Sequence, residues 1–440
     1  MSDKVESNVG VLEKFFKLSK NGTNIKTEIV AGLTTFLTMA YILVIIPGTL
    51  AKTGMDWGGA FTATILGTII STLVMSLYAN YPFVLAPGMG LLAFFTYSVV
   101  LGMGKSWQYA LTAVFIEGVI FILLSVTNVR EAIVNAIPMN LKKAVSVGIG
   151  LFITLIGLVN AGIIVSNNGT IIGLGHVTDK APLLALIGLI ITGLLYAMNV
   201  KGALLISILV TTIIGFPMGV TQLPTGFIQA PPSLSKVAFQ FQWSEVLSLN
   251  MLVVVFTFLF VALFDTVGTL MGVATKAGFL DENGKLPRVG RALLSDAVGT
   301  TVGACLGTSP ISTYVESAAG VEEGGKTGLT SLIAAGMFLL ALFFSPIFKI
   351  IPSAATAPAL IMVGLAMMSI VGEIDFKDYT EAIPAFLTIV MMPFTYSIAE
   401  GLAFGMVSYV LLKMLTGKYK DISIVLYILA VLFILRWIYI

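Results

Sequence analysis

Long apolar runs alternate with short polar breaks along nearly the whole chain. Fourteen runs stand out, at 27–51, 59–79, 84–101, 108–126, 141–160, 181–198, 202–219, 250–273, 289–306, 310–323, 328–348, 354–372, 381–396 and 398–415. Most match the roughly 17–25 residues that a helix needs to cross a bilayer. A further apolar stretch, 421–437, is short and ends in Arg436 and Trp437, which reads as an interfacial helix, with a fifteenth span as the alternative. Residues 128–139 read as a short surface helix leading into the fifth span. The longest polar connector, 220–249, carries Pro224, Pro231 and Pro232 and separates seven runs from seven. The pattern predicts an all-α polytopic membrane protein: a cytoplasmic segment 1–26, a first unit 27–219, the extracytoplasmic connector, a second unit 250–415 and a tail 416–440.

Composition supports that class. Of 440 residues 57% are hydrophobic and 10% charged, against about 25% charged in soluble domains. The 44 glycines lie largely inside the apolar runs, where helices pack closely in lipid. Residues 1–26 are polar and Lys-bearing, unlike a cleavable signal. Basic residues then set the orientation. With the N-terminus inside, 18 Lys and Arg fall on the inner side and 5 on the outer, Arg436 being left unassigned among the 24. That bias predicts both termini in the cytoplasm. The net charge of +2 points to no nucleic-acid partner. One cysteine, Cys305, forms no intrachain disulfide or cysteine-based metal site, and the one histidine, His176, sits in a polar connector.

An odd number of spans in each unit means that a duplicated unit is inserted upside down. Short echoes agree: Thr35-Phe36-Leu37 followed by Lys52-Thr53-Gly54 is matched by Thr257-Phe258-Leu259 followed by Lys276-Ala277-Gly278, and Tyr196 with Gly202 by Tyr396 with Gly401. The third and tenth runs are interrupted at corresponding places. Pro87-Gly88 breaks the third, because proline lacks an amide donor and pushes the preceding residue to extended geometry. Gly307-Thr308-Ser309-Pro310 does the same in the tenth. Both are expected to be extended first and helical afterwards, placing helix N-termini in mid-membrane. Irregular backbone at that depth is tolerated only where it is buried in protein or lines a cavity, and paired interruptions mark a transporter site.

Acids inside the runs sharpen this. A carboxylate in hydrocarbon costs roughly 2.5–3.5 kcal/mol on insertion scales, so it faces the bundle interior and usually has a task. Asp265, Glu316 and Glu117 are the candidates for proton coupling, Glu117 having a structural role as an equal alternative. Glu316 lies where a helix N-terminus would favour its ionised form. Asp296, near Arg291 and Ser295, reads as a structural partner.

At these residues the chain resembles the adenine/guanine/hypoxanthine permease branch of the nucleobase–ascorbate transporter superfamily. The resemblance rests on Phe36 to Leu43, on Ala86-Pro87-Gly88-Met89-Gly90-Leu91, on Phe264 to Leu270, and on Thr313 to Val321 with Gly324-Gly325-Lys326-Thr327-Gly328. It implies a uracil-permease-like fold with core and gate domains, short strands opening spans three and ten, and proton-coupled purine uptake. The core would hold 27–126 and 250–348, the gate 141–219 and 354–415. Asp265 and Glu316 would hold the base, Thr269, Tyr314 and the Val315 backbone would line the site, and Gly88 and Met89 would close it. Dimers are common in the superfamily, so a homodimer is expected. The chain departs from the family pattern at Ile46 and Leu92, where asparagines are usual, and at Ser309-Pro310, which leaves the preferred base open. No cofactor or metal is expected; the coupling ion is a proton, with sodium as an alternative. A carrier of the same fold for uracil, xanthine or an inorganic anion, or a passive channel, are the competing readings. An intramembrane enzyme would need a nucleophile–base pair or a metal set that the sequence lacks.

Overall fold

The computed structural model describes residues 11–126, 138–167, 169–224, 226–281 and 286–439, so most of the surface helix expected at 128–139 lies outside the described residues. After a short α1 (Val11–Phe16), the first apolar run folds as α2 (Ile25–Met39) and α3 (Ile42–Ala51). Ala40 and Tyr41 interrupt the run, and Pro47 withholds the amide that would bond the carbonyl four residues back. The helix α4 (Trp57–Val74) starts on Asp56, whose carboxylate accepts the Gly59 amide at 2.9 Å. It widens into a π-helical turn at Met75–Ala79 and stops at Asn80, in the left-handed region at φ 53°. Then come β1 (Leu85–Pro87), α5 (Met89–Ala93) with a π-helical continuation at Phe94–Gly102, and α6 (Trp107–Val126).

Beyond the undescribed segment run α7 (Met139–Asn160), the hairpin β2 (Ile164–Asn167) and β3 (Ile171–Leu174), α8 (Lys180–Ala197) and α9 (Ala203–Met218). The second unit holds α10 (Leu249–Lys276), α11 (Val289–Leu306), β4 (Ile311–Thr313) and α12 (Ser317–Glu322). It continues through α13 (Gly328–Ala341), α14 (Ser345–Lys349), α15 (Ser353–Met368), α16 (Tyr379–Phe394), α17 (Ile398–Leu415) and α18 (Ile424–Tyr439). Among the described residues eight helical stretches are long and apolar enough to cross a membrane, and five shorter apolar helices accompany them. The stretch at 310–323 is not itself a crossing helix: a three-residue strand and a six-residue helix are too short at about 1.5 Å per helical residue.

Two sets of helices pack among themselves. One contains α2, α4, α6, α10, α11 and α13; the other contains α7, α8, α9, α15, α16 and α17. Small residues let the crossings close. A Cβ on Gly118 of α6 would stand 2.5 Å from Thr301 Oγ1 on α11, and one on Gly150 of α7 2.7 Å from the Gly364 carbonyl on α15.

The segment expected to be interfacial folds as α18, one of the shorter apolar helices. The helix α18 buries Leu426, Leu429 and Phe433, and packs on α17 and α10. Trp437 Nε1 reaches Glu400 Oε2 at 2.8 Å, and its ring meets Phe404. It therefore runs antiparallel along α17, ending beside the start of that helix. One face of this helix is committed to its neighbours, while Ile424, Ile428 and Val431 remain exposed on the other.

Candidate functional site

The two interrupted runs meet. Strands β1 and β4 pair antiparallel, with Leu85 opposite Thr313, Ala86 opposite Ser312 and Pro87 opposite Ile311. The pairing continues one step beyond each strand: Gly88 N donates to Pro310 O, and Tyr314 N to Val84 O, both at 3.0 Å. Strand edges this deep need partners, since an unsatisfied backbone group is costly without water. Two threonines supply them. Thr72 of α4 donates to Leu85 O at 3.2 Å and accepts from Leu85 N at 3.1 Å. Thr300 of α11 treats Ile311 in the same way, at 3.0 and 3.1 Å. The step that carries Leu85 to Ile311 also carries Ala86 to Ser312 and Gly88 to Tyr314, so the pair has a local two-fold axis midway between Ala86 and Ser312.

Polar side chains gather on the β4 side of that axis. Ser312 Oγ donates to Asp265 Oδ2 at 2.7 Å, which ties α10 to the strand. Tyr41, in the break between α2 and α3, donates its hydroxyl to Glu316 Oε1 at 2.6 Å. Glu316 stands at the N-cap of α12 but accepts no hydrogen bond from the helix amides that follow. The expected support from the helix terminus is replaced by a phenol from the other unit. Tyr314, itself buried, spends its hydroxyl on the Pro87 carbonyl at 2.5 Å. Thr269 lies one turn beyond Asp265 on α10. A Cβ on Gly88 would stand 2.6 Å from Ser312 Oγ and 3.1 Å from Asp265 Oδ2, so close approach requires glycine there. Val315 is 55% exposed beside this cluster.

Two other acids lie outside this cluster of hydrogen bonds. Asp296 is fully buried and accepts from Thr313 Oγ1 at 3.0 Å, bracing β4. Its expected neighbours look elsewhere: Arg291 lies over the Tyr78 ring, and Ser295 bonds the Arg291 carbonyl. Glu117 is fully buried on α6, which packs on α10 and α11, while the strand pair packs on α4, α10 and α11.

The sequence reading passed over three residues. Tyr41 and Ser312 look like ordinary hydroxyl-bearing positions in apolar runs. Glu28 looks like a polar flank, yet it is fully buried. It accepts from Lys326 N at 3.0 Å, Thr327 Oγ1 at 2.8 Å, Thr330 N at 3.0 Å and Thr330 Oγ1 at 2.7 Å. Gly320 to Thr327 has the spacing of a phosphate-binding loop, but it follows no strand, and its donors serve the Glu28 carboxylate. That loop is a brace between α2 and α13.

A narrow cleft runs past Met89, the residue after Gly88, between α3, α5, α7 and α15. Its inner cavity, about 10 Å³, is lined by Met89, Leu92, Tyr97 and Ile153, among others. Its outer cavity, about 50 Å³, is lined by Lys52, Trp57, Asn160 and Thr356, among others. Both share Thr49 and Leu360. Ile46 and Leu92 are both buried, and of the two positions where the family usually has asparagine only Leu92 lines this cleft.

A helical bundle with eight membrane-competent stretches, and with broken helices meeting at partly buried carboxylates, is a membrane transporter. Comparison with known proteins makes it specific: residues 26–434 match the model described as "Permease family", and the chain belongs to that family. It is 42% identical to the adenine permease AdeP of Escherichia coli over 434 residues, covering 99% of this chain and 97% of that one. It is 46% identical to the guanine/hypoxanthine permease PbuG of Bacillus subtilis over 440 residues, covering 97% and 100%. Among solved structures, the transmembrane domain of a cyanobacterial bicarbonate transporter, BicA, superposes with a TM-score of 0.64 at 18% identity, covering 85% of this chain and 97% of that one. The murine anion transporter Slc26a9 in its inward-facing state gives 0.64 at 13% identity, covering 96% and 74%. Those two likenesses concern the fold alone.

Proposed function

We propose that this permease carries purine nucleobases inward by alternating access, coupled to protons, with Asp265 and Glu316 as the groups that hold the base. The observation that carries the reading is the convergence of two carboxylates, from α10 and from the break before α12, beside the Gly88 backbone. A neutral purine offers N–H donors to such acceptors and a flat face to Tyr314. A carboxylate that must gain a proton before the loaded site moves would link the base to the proton gradient. The purine names of the relatives AdeP and PbuG support the substrate class.

The same proposal takes the fourteen runs as spans of two inverted repeats, with the N-terminus in the cytoplasm. The two-fold of the strand pair and the matched Thr72 and Thr300 contacts support it. The antiparallel course of α18 along α17 supports a fifteenth crossing, which would put the C-terminus outside rather than in the cytoplasm. The helix set of α2, α4, α6, α10, α11 and α13 would be the core, and that of α7 to α9 and α15 to α17 the gate. Uptake of labelled adenine, guanine and hypoxanthine into cells, with and without a protonophore, tests the function. Uptake that the protonophore leaves unchanged would remove proton coupling, and absence of purine uptake would remove the substrate class.

A further inference from the structure

We propose that Lys52, Asn160 and Tyr97 form a gate that must part before a base can pass between the Lys52 end of the cleft and the Asp265–Glu316 site. The proposal rests on the purine-carrier reading above for its substrate, but its geometry is independent of that reading. Lys52 Nζ donates to Asn160 Oδ1 at 2.5 Å. Asn160 Nδ2 donates in turn to the Tyr97 hydroxyl at 3.2 Å. The Lys52 ammonium also lies 5.7 Å from the centre of the Tyr97 ring.

These residues come from three places that have no other reason to meet. Lys52 is the C-cap of α3, Asn160 the last residue of α7, and Tyr97 lies in the π-helical continuation of α5. The Lys52–Asn160 bond thus joins the first broken unit to the other helix set. It lies where the cleft is widest. The cavity of about 50 Å³ beside it has room for a few waters, and the neighbouring one of about 10 Å³ for no more than one, so neither admits a purine. Beside Glu316, in contrast, Val315 is 55% exposed, and Tyr196, in electrostatic reach of Glu316, is 43% exposed.

The chemistry suits a gate that opens for its cargo. An ammonium on an amide oxygen is a charge-assisted bond that another acceptor can replace. Every purine carries ring nitrogens that accept hydrogen bonds, and guanine and hypoxanthine add a carbonyl. A base arriving at the mouth of the outer cavity can take the place of Asn160 at Lys52, freeing α7 from α3. Below it, Leu92 and Met89 form an apolar neck that makes no competing bond, so the base is passed on rather than retained.

The test uses the full chain with Cys305→Ser, Lys52→Cys and Asn160→Cys. A bifunctional methanethiosulfonate should lower purine uptake at least about tenfold, and reduction should restore it, while purine binding to the solubilised protein changes less than about twofold. Continued uptake by fully cross-linked protein would overturn the gate. Single variants give a second reading with opposite signs. Asn160→Asp sets a carboxylate against Lys52 and should slow initial uptake about three- to tenfold, whereas Asn160→Ala should not slow it. Equal slowing by both would also overturn it. If the Cys305→Ser parent binds no purine, the substrate reading fails, and the gate is judged on modification of Leu92→Cys. Lys52→Met should speed that modification about tenfold, and an unchanged rate would sink the gate.

Discussion

The two broken segments share a backbone and differ in almost every side chain. The step that relates Leu85 to Ile311 relates Ala86 to Ser312, Gly88 to Tyr314 and Gly90 to Glu316. On the β1 side the residues are small and offer only backbone; on the β4 side they carry a hydroxyl, a phenol and a carboxylate. Hydrogen bonds at the ends of the pair are equal, 3.0 Å for Gly88 N to Pro310 O and for Tyr314 N to Val84 O. A symmetric frame therefore holds an asymmetric site. One half makes room, and the other supplies the chemistry that fills it.

The largest effect should come from the polar half. Glu316→Gln keeps the shape and removes the charge, leaving Tyr41 a neutral partner. Loss of a charge-assisted acceptor is worth about 1.5–3 kcal/mol, so purine affinity should fall about 10–100-fold and accumulation against a gradient should stop. Full accumulation by this variant would remove Glu316 from the coupling role.

The small half should fail by crowding instead. In Gly88→Ala the new Cβ meets Ser312 Oγ at 2.6 Å and Asp265 Oδ2 at 3.1 Å. Overpacking of that kind costs about 1–3 kcal/mol. Combining it with Ser312→Ala removes the nearer atom, so the double variant should be less impaired than the sum of the singles, in both purine affinity and thermal stability. Strict additivity would mean that Gly88 is needed for some other reason.

Much of this frame was legible in the chain. Pro87-Gly88 and Ser309-Pro310 announce breaks because proline withholds a donor wherever it stands, and the apolar runs announce helices because lipid sets their length. What stayed hidden depends on contacts between distant residues. Tyr41 and Glu316 are 275 residues apart, and Glu28 and Thr330 are 302 apart. A tyrosine in an apolar run carries no mark of its partner. Asp296 was placed with its sequence neighbours because those were the only neighbours visible, and its bond to Thr313 reaches across to another element. The hairpin β2–β3 went unread because it falls in a polar connector, and the course of α18 is fixed by Glu400 and Phe404 rather than by its own composition.

Symmetry of the frame makes a sharper prediction. Thr72→Val and Thr300→Val each leave one strand residue, Leu85 or Ile311, without partners for its amide and its carbonyl. Each buried unsatisfied group costs about 1–3 kcal/mol. The two variants should therefore lower the unfolding temperature by similar amounts. A large drop for one alone would show that the strands are held unequally despite equal distances.

The smallest effect concerns how the bracing helices begin. The helix α4 starts on Asp56, which accepts the Gly59 amide and the Lys236 ammonium at 3.0 Å, whereas α11 starts at Arg288 with no side-chain cap. Those donors hold the Asp56 carboxyl below its usual value, the Gly59 amide contributing most. A carboxyl lowered in the folded state stabilises above its unfolded pKa of about 3.9 and loses that contribution as pH falls toward the folded value. Asp56→Ala should therefore cost about 1 kcal/mol, the usual worth of an N-cap, at every pH from about 5 to 8. The gap in unfolding temperature between parent and variant should close as pH drops below about 3.9. A gap that persists undiminished in acid would mean that the side chain acts there through packing rather than through its charge.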